Sequence, residues 1–332
     1  MPDRAACLPA IRILSRLPNG PHMDYFFLIL GFTILLISGD LLVKSGVALS
    51  SHFRISTLVV GVTVVSFGTS APELVVSIGA ALKDLPDIAI GSVIGSNISN
   101  IALVLGLTAL IIKIPVTRPS VSFDWPFMML ASLLFYLFAL NGILSFTEGI
   151  IFIILLAVFI FWSVRKSRME LIRVNHVFAK ARYTVPVSLL LLLASSAGLY
   201  LGATWLVDGA ESIANRMGVS ERVISVTIIA FGTSIPELAT SVTAAVRNQL
   251  DISIGNIIGS NIFNILGILG VTSLIKSIPV SIELRFDIFW MLAVSVLLLL
   301  FMLPYGRAAI NRYKGAALVM VYFLYIILVF SS

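Results

Sequence analysis

Long apolar runs separated by short polar breaks dominate this chain. A membrane-spanning helix needs about 20 mostly apolar residues, because it must cross about 30 Å of hydrocarbon. Such runs follow one another along the sequence, so we predict an all-α polytopic membrane protein with ten transmembrane helices. The predicted spans are residues 25–50, 57–82, 87–112, 123–141, 147–164, 185–212, 221–246, 251–276, 285–304 and 313–330.

The composition supports a membrane location. Of the 332 residues, 59% are hydrophobic and 11% are charged, whereas soluble domains contain about 25% charged residues. This excludes an ordinary soluble globule, and the lipid bilayer is the expected partner, with no nucleic acid and no obligate protein partner indicated. Cys7 is the only cysteine, which excludes an intrachain disulfide and a cysteine metal cluster.

The basic residues predict an orientation. If the N-terminus lies outside, the inside loops hold 13 Lys and Arg residues and the outside loops hold five, and positive residues favour the cytoplasmic side. We therefore expect a multi-pass cell-membrane protein with loop 165–184 in the cytoplasm. The N-terminal tail, residues 1–23, carries Arg4, Arg12 and Arg16 against this assignment. Initiation at Met23 and an uncleaved tail both remain open.

The chain contains an internal repeat. Residues 62–115 align without a gap with residues 226–279 at a constant offset of 164, and 30 of the 54 pairs are identical. Each half holds five spans, and an odd number inverts the second copy relative to the first. The expected division is a first repeat at 24–164, a basic linker at 165–184 and a second repeat at 185–332. Inverted repeats are common in secondary transporters, whose substrate sites lie near the bilayer midplane.

Two acidic residues occupy matched positions inside predicted spans. Glu73 and Glu237 belong to Gly-Thr-Ser-x-Pro-Glu motifs in the second and seventh spans. An acidic group at mid-bilayer costs about 2.5–3.5 kcal/mol on insertion scales, so a compensating interaction is expected. Each Glu could be a structural group bonded to a neighbouring helix, but the matched pair favours a functional site.

The same motifs supply oxygen ligands. Residues three and four positions before each Glu share its helical face, and a proline leaves the carbonyl four residues earlier without its helical donor. The candidates are Thr69, Ser70, Thr233 and Ser234 through their side chains, and Gly68 and Gly232 through their carbonyls.

A second pair of motifs, Gly-Ser-Asn-Ile-x-Asn, lies in the third and eighth spans. Its candidate ligands are Ser96, Asn100, Ser260 and Asn264, whereas Asn97 and Asn261 could act as ligands or join helices. Gly91, Gly95 and Gly106, with their mirror positions Gly255, Gly259 and Gly270, are expected to permit close helix approach.

Together the motifs predict a site for a hard cation. They offer carboxylate, hydroxyl, amide and carbonyl oxygens, without thiolate or imidazole. Calcium accepts six to eight oxygens in flexible geometry, whereas magnesium requires a tight octahedron, so calcium is favoured. Sodium fits the same ligands. No cofactor is expected beyond the transported ions, and the motifs contain no nucleophile with a base, so an enzyme is not indicated.

The two pairs of motifs resemble those of the sodium/calcium exchanger family. The resemblance covers nearly the whole chain from about residue 24 and implies a ten-helix antiporter of prokaryotic type, without a regulatory cytoplasmic domain. It implies that Glu73 and Glu237 bind both calcium and sodium, and that spans 1 and 6 slide against spans 2, 3, 7 and 8. Asn264 stands where potassium-dependent members have Asp, which argues against potassium coupling. Calcium/proton antiport and a cation channel remain as alternatives.

Overall fold

The computed structural model describes residues 21–173, 181–218, 232–303 and 309–331. Within these ranges nine helices are long and apolar enough to cross a membrane, and a tenth is shorter. The all-α, polytopic fold class is therefore confirmed. Residues 1–20 of the tail and residues 221–231 of the predicted seventh span lie outside the described residues. The helices are α1 (Pro21–Phe53), α2 (Thr57–Leu82), α3 (Pro86–Ile111), α4 (Ser120–Ala139), α5 (Phe146–Arg173), α6 (Val185–Arg216), α7 (Ile235–Val246), α8 (Leu250–Ile275), α9 (Leu284–Met302) and α10 (Arg312–Ser331).

Helix α5 continues to Arg173, nine residues past the predicted end of its span. Lys, Arg, Met, Glu and Leu in this extension are good helix formers, so the backbone has no reason to leave the helix where the apolar run stops. Lys166 Nζ lies 4.8 Å from the ring centroid of Phe123 in α4, and this contact ties the extension to its neighbour.

Successive helices run in alternating directions and define two faces. The Arg216 face carries Asp24, Arg216 and the α2–α3 and α8–α9 connections, whereas the Arg247 face carries Arg54, Arg247 and the α9–α10 connection. Two short antiparallel ladders join the halves. On the Arg247 face β1 (Ile114–Pro115) pairs with β4 (Ala309–Ile310), and on the Arg216 face β2 (Ile143–Leu144) pairs with β3 (Ile278–Pro279). One matched ladder on each face is the arrangement expected of an inverted repeat.

The repeat extends to the turns. Asp84 follows α2 and Asn248 follows α7, and each adopts a left-handed φ of 58°. The backbone N–H of Asp84 donates to Ala81 O at 3.2 Å, and that of Asn248 donates to Ala245 O at 3.0 Å. Asn and Asp tolerate this conformation better than most residues. The α2–α3 and α7–α8 turns therefore share one backbone conformation, on opposite faces.

Small residues set the helix packing. Helices α1 and α6 meet at Gly31 and Gly202, where a Cβ on either would lie 2.9 Å or less from the carbonyl oxygen of the other. In α8, a Cβ at Gly259 would lie 2.4 Å from Val62 O in α2.

The expected close approach is thus confirmed at Gly255, Gly259, Gly106 and Gly270, each of which lies against another helix. Among the described residues, a Cβ at Gly91 would meet only Leu284 Cδ2, at 3.8 Å, and a Cβ at Gly95 would meet no atom of another helix within 4 Å, so close approach at these two positions stays a prediction.

Candidate cation site

Two buried carboxylates occupy the centre of the helix bundle. Glu73 in α2 is 1% exposed and Glu237 in α7 is fully buried, and the two groups interact electrostatically. Ser96 Oγ donates to Glu73 Oε1 at 3.5 Å, and Ser70 Oγ donates to Glu237 Oε1 at 3.2 Å. The Oε2 atom of each carboxylate has no hydrogen-bond partner among the described residues. Both side chains therefore retain an oxygen for a cation.

Hydrogen bonds cross the boundary between the two halves. Ser70 precedes Glu73 by less than one turn of α2, yet it donates to Glu237 of the other half. Ser96 in turn accepts a hydrogen bond from Asn264 Nδ2 of the other half at 3.2 Å. The polar cluster around the two carboxylates thus contains residues from α2, α3, α7 and α8.

Two buried asparagines add amide oxygens. Asn264 Nδ2 also donates to Asn97 Oδ1 at 3.0 Å, while Asn264 Oδ1 and both side-chain polar atoms of Asn100 have no hydrogen-bond partner within the described ranges. Asn100 begins a π-helical turn, Asn100–Leu105, and Asn264 lies in another, Phe263–Leu269. Such turns occur frequently at functional sites, and apolar periodicity does not predict them.

Thr69 and Ser260 lie beside this cluster. Thr69 Oγ1 is 3.3 Å from Ser260 Oγ and donates to Asn256 Oδ1 at 3.1 Å. Asn256 is a buried polar residue that the motifs did not include, and its Nδ2 donates to Ser241 Oγ. Its position four and eight residues before Ser260 and Asn264 could have indicated it, because those spacings share one helical face.

Asn97 uses its amide to join α3 to α8, because its Nδ2 donates to Asn261 O at 3.4 Å. The amide of Asn261 bonds within its own helix, where its Nδ2 donates to Ile257 O at 2.7 Å. The helix-joining interpretation therefore fits Asn97, whereas the side chain of Asn261 makes a local contact.

The Pro-Glu motif differs between the halves. Pro72 lies inside α2, whereas Pro236 lies in the first turn of α7, where a missing N–H has no helical acceptor to lose. Ser234 is buried, and its Oγ has no hydrogen-bond partner among described atoms. Thr233 is exposed, so the structure does not place it beside Glu237 as Thr69 and Ser70 are placed in the first half.

Gly68 and Gly232 both lie against α6. A Cβ at Gly68 would be 2.6 Å from Ser196 Oγ, and a Cβ at Gly232 would be 2.7 Å from Val207 Cγ2. The two glycines therefore allow α6 to pack closely beside both copies of the motif.

A cavity of about 270 Å³ leads from the Arg216 face to Glu73. Its lining includes Glu73, Tyr200, Thr204, Asp208, Glu211 and Thr233. Asp208 and Glu211 of α6 thus line this opening.

The Arg247 face is packed differently. Asp40 in α1 lies 2.6 Å from Arg247 at the end of α7, and it also pairs with Lys44 one turn along α1. A Cβ at Gly39 of α1 would lie 3.3 Å from Ala239 O of α7. Helix α1 is therefore in direct contact with α7 on this side.

The described residues contain no group of three or more His, Cys, Asp or Glu side chains able to hold a metal. The site instead offers two carboxylates and neutral oxygens, which suits a hard cation that is bound and released. An inverted repeat of membrane-spanning helices around such a site defines a cation transporter.

The chain belongs to the sodium/calcium exchanger protein family, whose model matches residues 23–165 and 187–331. The resemblance inferred from the motifs is thereby confirmed, and the family is one of transporters.

Individual relatives agree with this membership. The sodium/calcium exchanger MaX1 of Methanosarcina acetivorans is 29% identical over 360 residues, covering 93% of this chain and 99% of the relative. The putative antiporter CaxA of Alkalimonas amylolytica is 37% identical over 322 residues, covering 92% and 98%. A solved structure of the sodium-calcium exchanger NCX_Mj, soaked with zero Na⁺ and Ca²⁺, matches with a TM-score of 0.79 at 33% identity and covers 93% of this chain and 100% of its own.

Proposed function

We propose that this protein is a secondary active antiporter that exchanges Ca²⁺ for Na⁺ by alternating access. The observation that carries the proposal is the pair of buried carboxylates, one from each half, each with an unpartnered oxygen. Relatives named for sodium and calcium support Na⁺ as the counter-ion and do not favour protons.

We assign the charged ligands as Glu73 and Glu237. Their two negative charges balance one Ca²⁺ or two Na⁺, and occupancy by one kind of ion excludes the other, which couples the fluxes. The proposed neutral ligands are the side chains of Thr69, Ser70, Ser96, Asn100, Ser234, Ser260 and Asn264 and the carbonyls of Gly68 and Gly232, and the exposed Thr233 is left out of the proposal. Asn264 is neutral where potassium-dependent members carry Asp, so no potassium coupling is proposed.

The proposed orientation places the Arg216 face outside and the Arg247 face in the cytoplasm, because the loops of the Arg247 face hold most of the basic residues. The repeats then comprise residues 24–164 and 185–332, joined by residues 165–184. Helices α1 and α6, which pack on each other through Gly31 and Gly202, would move as one unit against the rest of the bundle.

Calcium flux in proteoliposomes tests the function. Purified protein is reconstituted, and uptake of radiolabelled Ca²⁺ is measured under separately imposed Na⁺, K⁺ and proton gradients. We expect uptake driven only by internal Na⁺. Uptake that follows the pH gradient and ignores Na⁺ would instead establish calcium/proton antiport, and sustained single-channel currents would establish a channel.

A further inference from the structure

Two carboxylates outside the proposed exchange site lie on one face of α6. Asp208 and Glu211 are three residues apart, and Thr204 and Tyr200 continue the same face toward the bundle centre. All four line the cavity that opens at the Arg216 face, and Glu73 lines it as well. Helix α6 thus presents a polar stripe along a passage toward the buried site.

Glu73 lines the same cavity and offers a buried oxygen for a cation. It is 1% exposed, and its Oε2 has no hydrogen-bond partner among the described residues. The cavity holds about 270 Å³, whereas a single water needs about 10–15 Å³ of such space, so several waters fit. Calcium takes six to eight oxygen ligands, and the passage therefore has room for the ion with its water shell.

We propose that Asp208 and Glu211 form an access subsite that holds a hydrated divalent cation before it reaches Glu73. The inference rests on the proposed exchange function and extends it. Carboxylates in a cleft with low-dielectric walls focus the field and raise the local cation concentration. In the same electrostatic potential, the interaction energy of a divalent ion is twice that of a monovalent ion. The subsite would therefore favour Ca²⁺ over Na⁺ at the opening.

The test compares two double variants with the same loss of charge. D208N/E211Q removes both cavity carboxylates. D87N/E283Q removes one Asp and one Glu from exposed positions on the same face, where neither residue lines the cavity. Initial rates of Na⁺-driven Ca²⁺ uptake are measured against Ca²⁺ concentration on the Arg216 side. The measurements use ionic strengths of about 0.01 M and about 0.15 M, where the Debye lengths are about 30 Å and 8 Å.

We expect D208N/E211Q to raise KM for Ca²⁺ about 10-fold at the lower ionic strength and by less at the higher one, with kcat unchanged. D87N/E283Q should leave both constants unchanged. If D208N/E211Q does not fold, the single variants D208N and E211Q carry the test, with about threefold increases in KM expected for each.

Three results would overturn the subsite: equal KM shifts in both double variants, no shift in either, or a fall in kcat at constant KM. In each case wild-type uptake persists, so the exchange function stands. Absence of Na⁺-driven uptake in the wild-type protein would overturn the exchange function, and the subsite with it.

Discussion

The two faces of the molecule differ although the halves share their motifs. On the Arg247 face, α1 packs on α7, and Asp40 bridges to Arg247. On the Arg216 face, the cavity between α6 and α2 reaches Glu73. At the constant offset, Thr204 stands at the position matching Asp40 and Lys83 at the position matching Arg247, so the matched positions lack the carboxylate that Asp40 supplies. Matching motifs are therefore held in different environments at the two faces, as alternating access requires.

The largest expected effect concerns the shared centre. Glu73→Gln and Glu237→Gln each remove one charge from a buried site, and two unit charges 4 Å apart interact by about 4 kcal/mol at an effective dielectric constant near 20. We expect each variant to lose exchange by about 1,000-fold, measured as Na⁺-driven Ca²⁺ uptake. The loss should be equal although only Glu73 lines the cavity. Normal flux in both would refute the site, and the exposed Glu283→Gln serves as the control.

The next effect concerns the contact between α2 and α8. Gly259→Ala places a methyl group 2.4 Å from Val62 O, and overpacking of this kind costs about 1–3 kcal/mol. We expect a lower thermal unfolding midpoint in detergent and reduced transport.

Gly79→Ala, in α2, is the matched control. Outside its own helical turn, no described residue lies within 4 Å of the Cβ it would add, and alanine is favoured over glycine inside a helix. Equal unfolding midpoints for the Gly259 and Gly79 variants would show that α2 and α8 are not a rigid frame.

Removing the Asp40–Arg247 ion pair tests whether this contact makes the two faces different. Arg247→Gln removes an ion pair whose Arg side chain is 54% exposed, and exposed pairs contribute about 0.2–1 kcal/mol. The equilibrium between the state open at the Arg216 face and the state open at the Arg247 face should shift by up to about fivefold toward the second state. A cysteine introduced as Val76→Cys in the cavity, in a Cys7→Ser background, should then react more slowly with an impermeant thiol reagent added at the Arg216 face.

Lys276→Gln provides the control for that shift. It removes the 2.7 Å pair with Asp84 on the Arg216 face, which does not involve α1. Equal labelling rates in the Arg247→Gln protein and the unmodified background would show that the Asp40 pair does not hold this face closed.

The smallest effect concerns the turns, where we expect the faces to behave alike. Asn248→Ala and Asp84→Ala should each cost about 1 kcal/mol in the free energy of unfolding, because both positions are left-handed. The exposed ion pair of Asp84 should add little. Thermal unfolding measures both changes, and a cost confined to one turn would contradict the equivalence of the two connections.

Much of this fold follows from the sequence alone. The ends of α2 at Leu82 and of α7 at Val246 coincide with predicted limits, because lipid requires an unbroken helix of fixed length. The end of α5 was not predictable from hydropathy, since its last turns leave the apolar region but keep helix-forming residues. The π-helical turn at Asn100 was also not predictable from the sequence, because such a turn changes the helical register without changing the composition.

The sequence predicted most residues of the candidate site but not which of them contact one another. Helical spacing placed Ser70 beside Glu73, but the packed helices place its hydroxyl on Glu237. The same spacing treated Thr233 as an equivalent of Thr69, whereas one is exposed and the other buried. Spacing describes a single helix, and these contacts depend on how four helices meet.

The sequence by itself determined the membrane class, the inverted repeat and the two buried carboxylates, because hydrocarbon penalises any other placement of such residues. Only the tertiary structure decided which oxygen serves which carboxylate and which face gives access to Glu73. The two repeats encode nearly the same local preferences, so the choice between the faces depends on the position of α1 and α6 against the remaining helices.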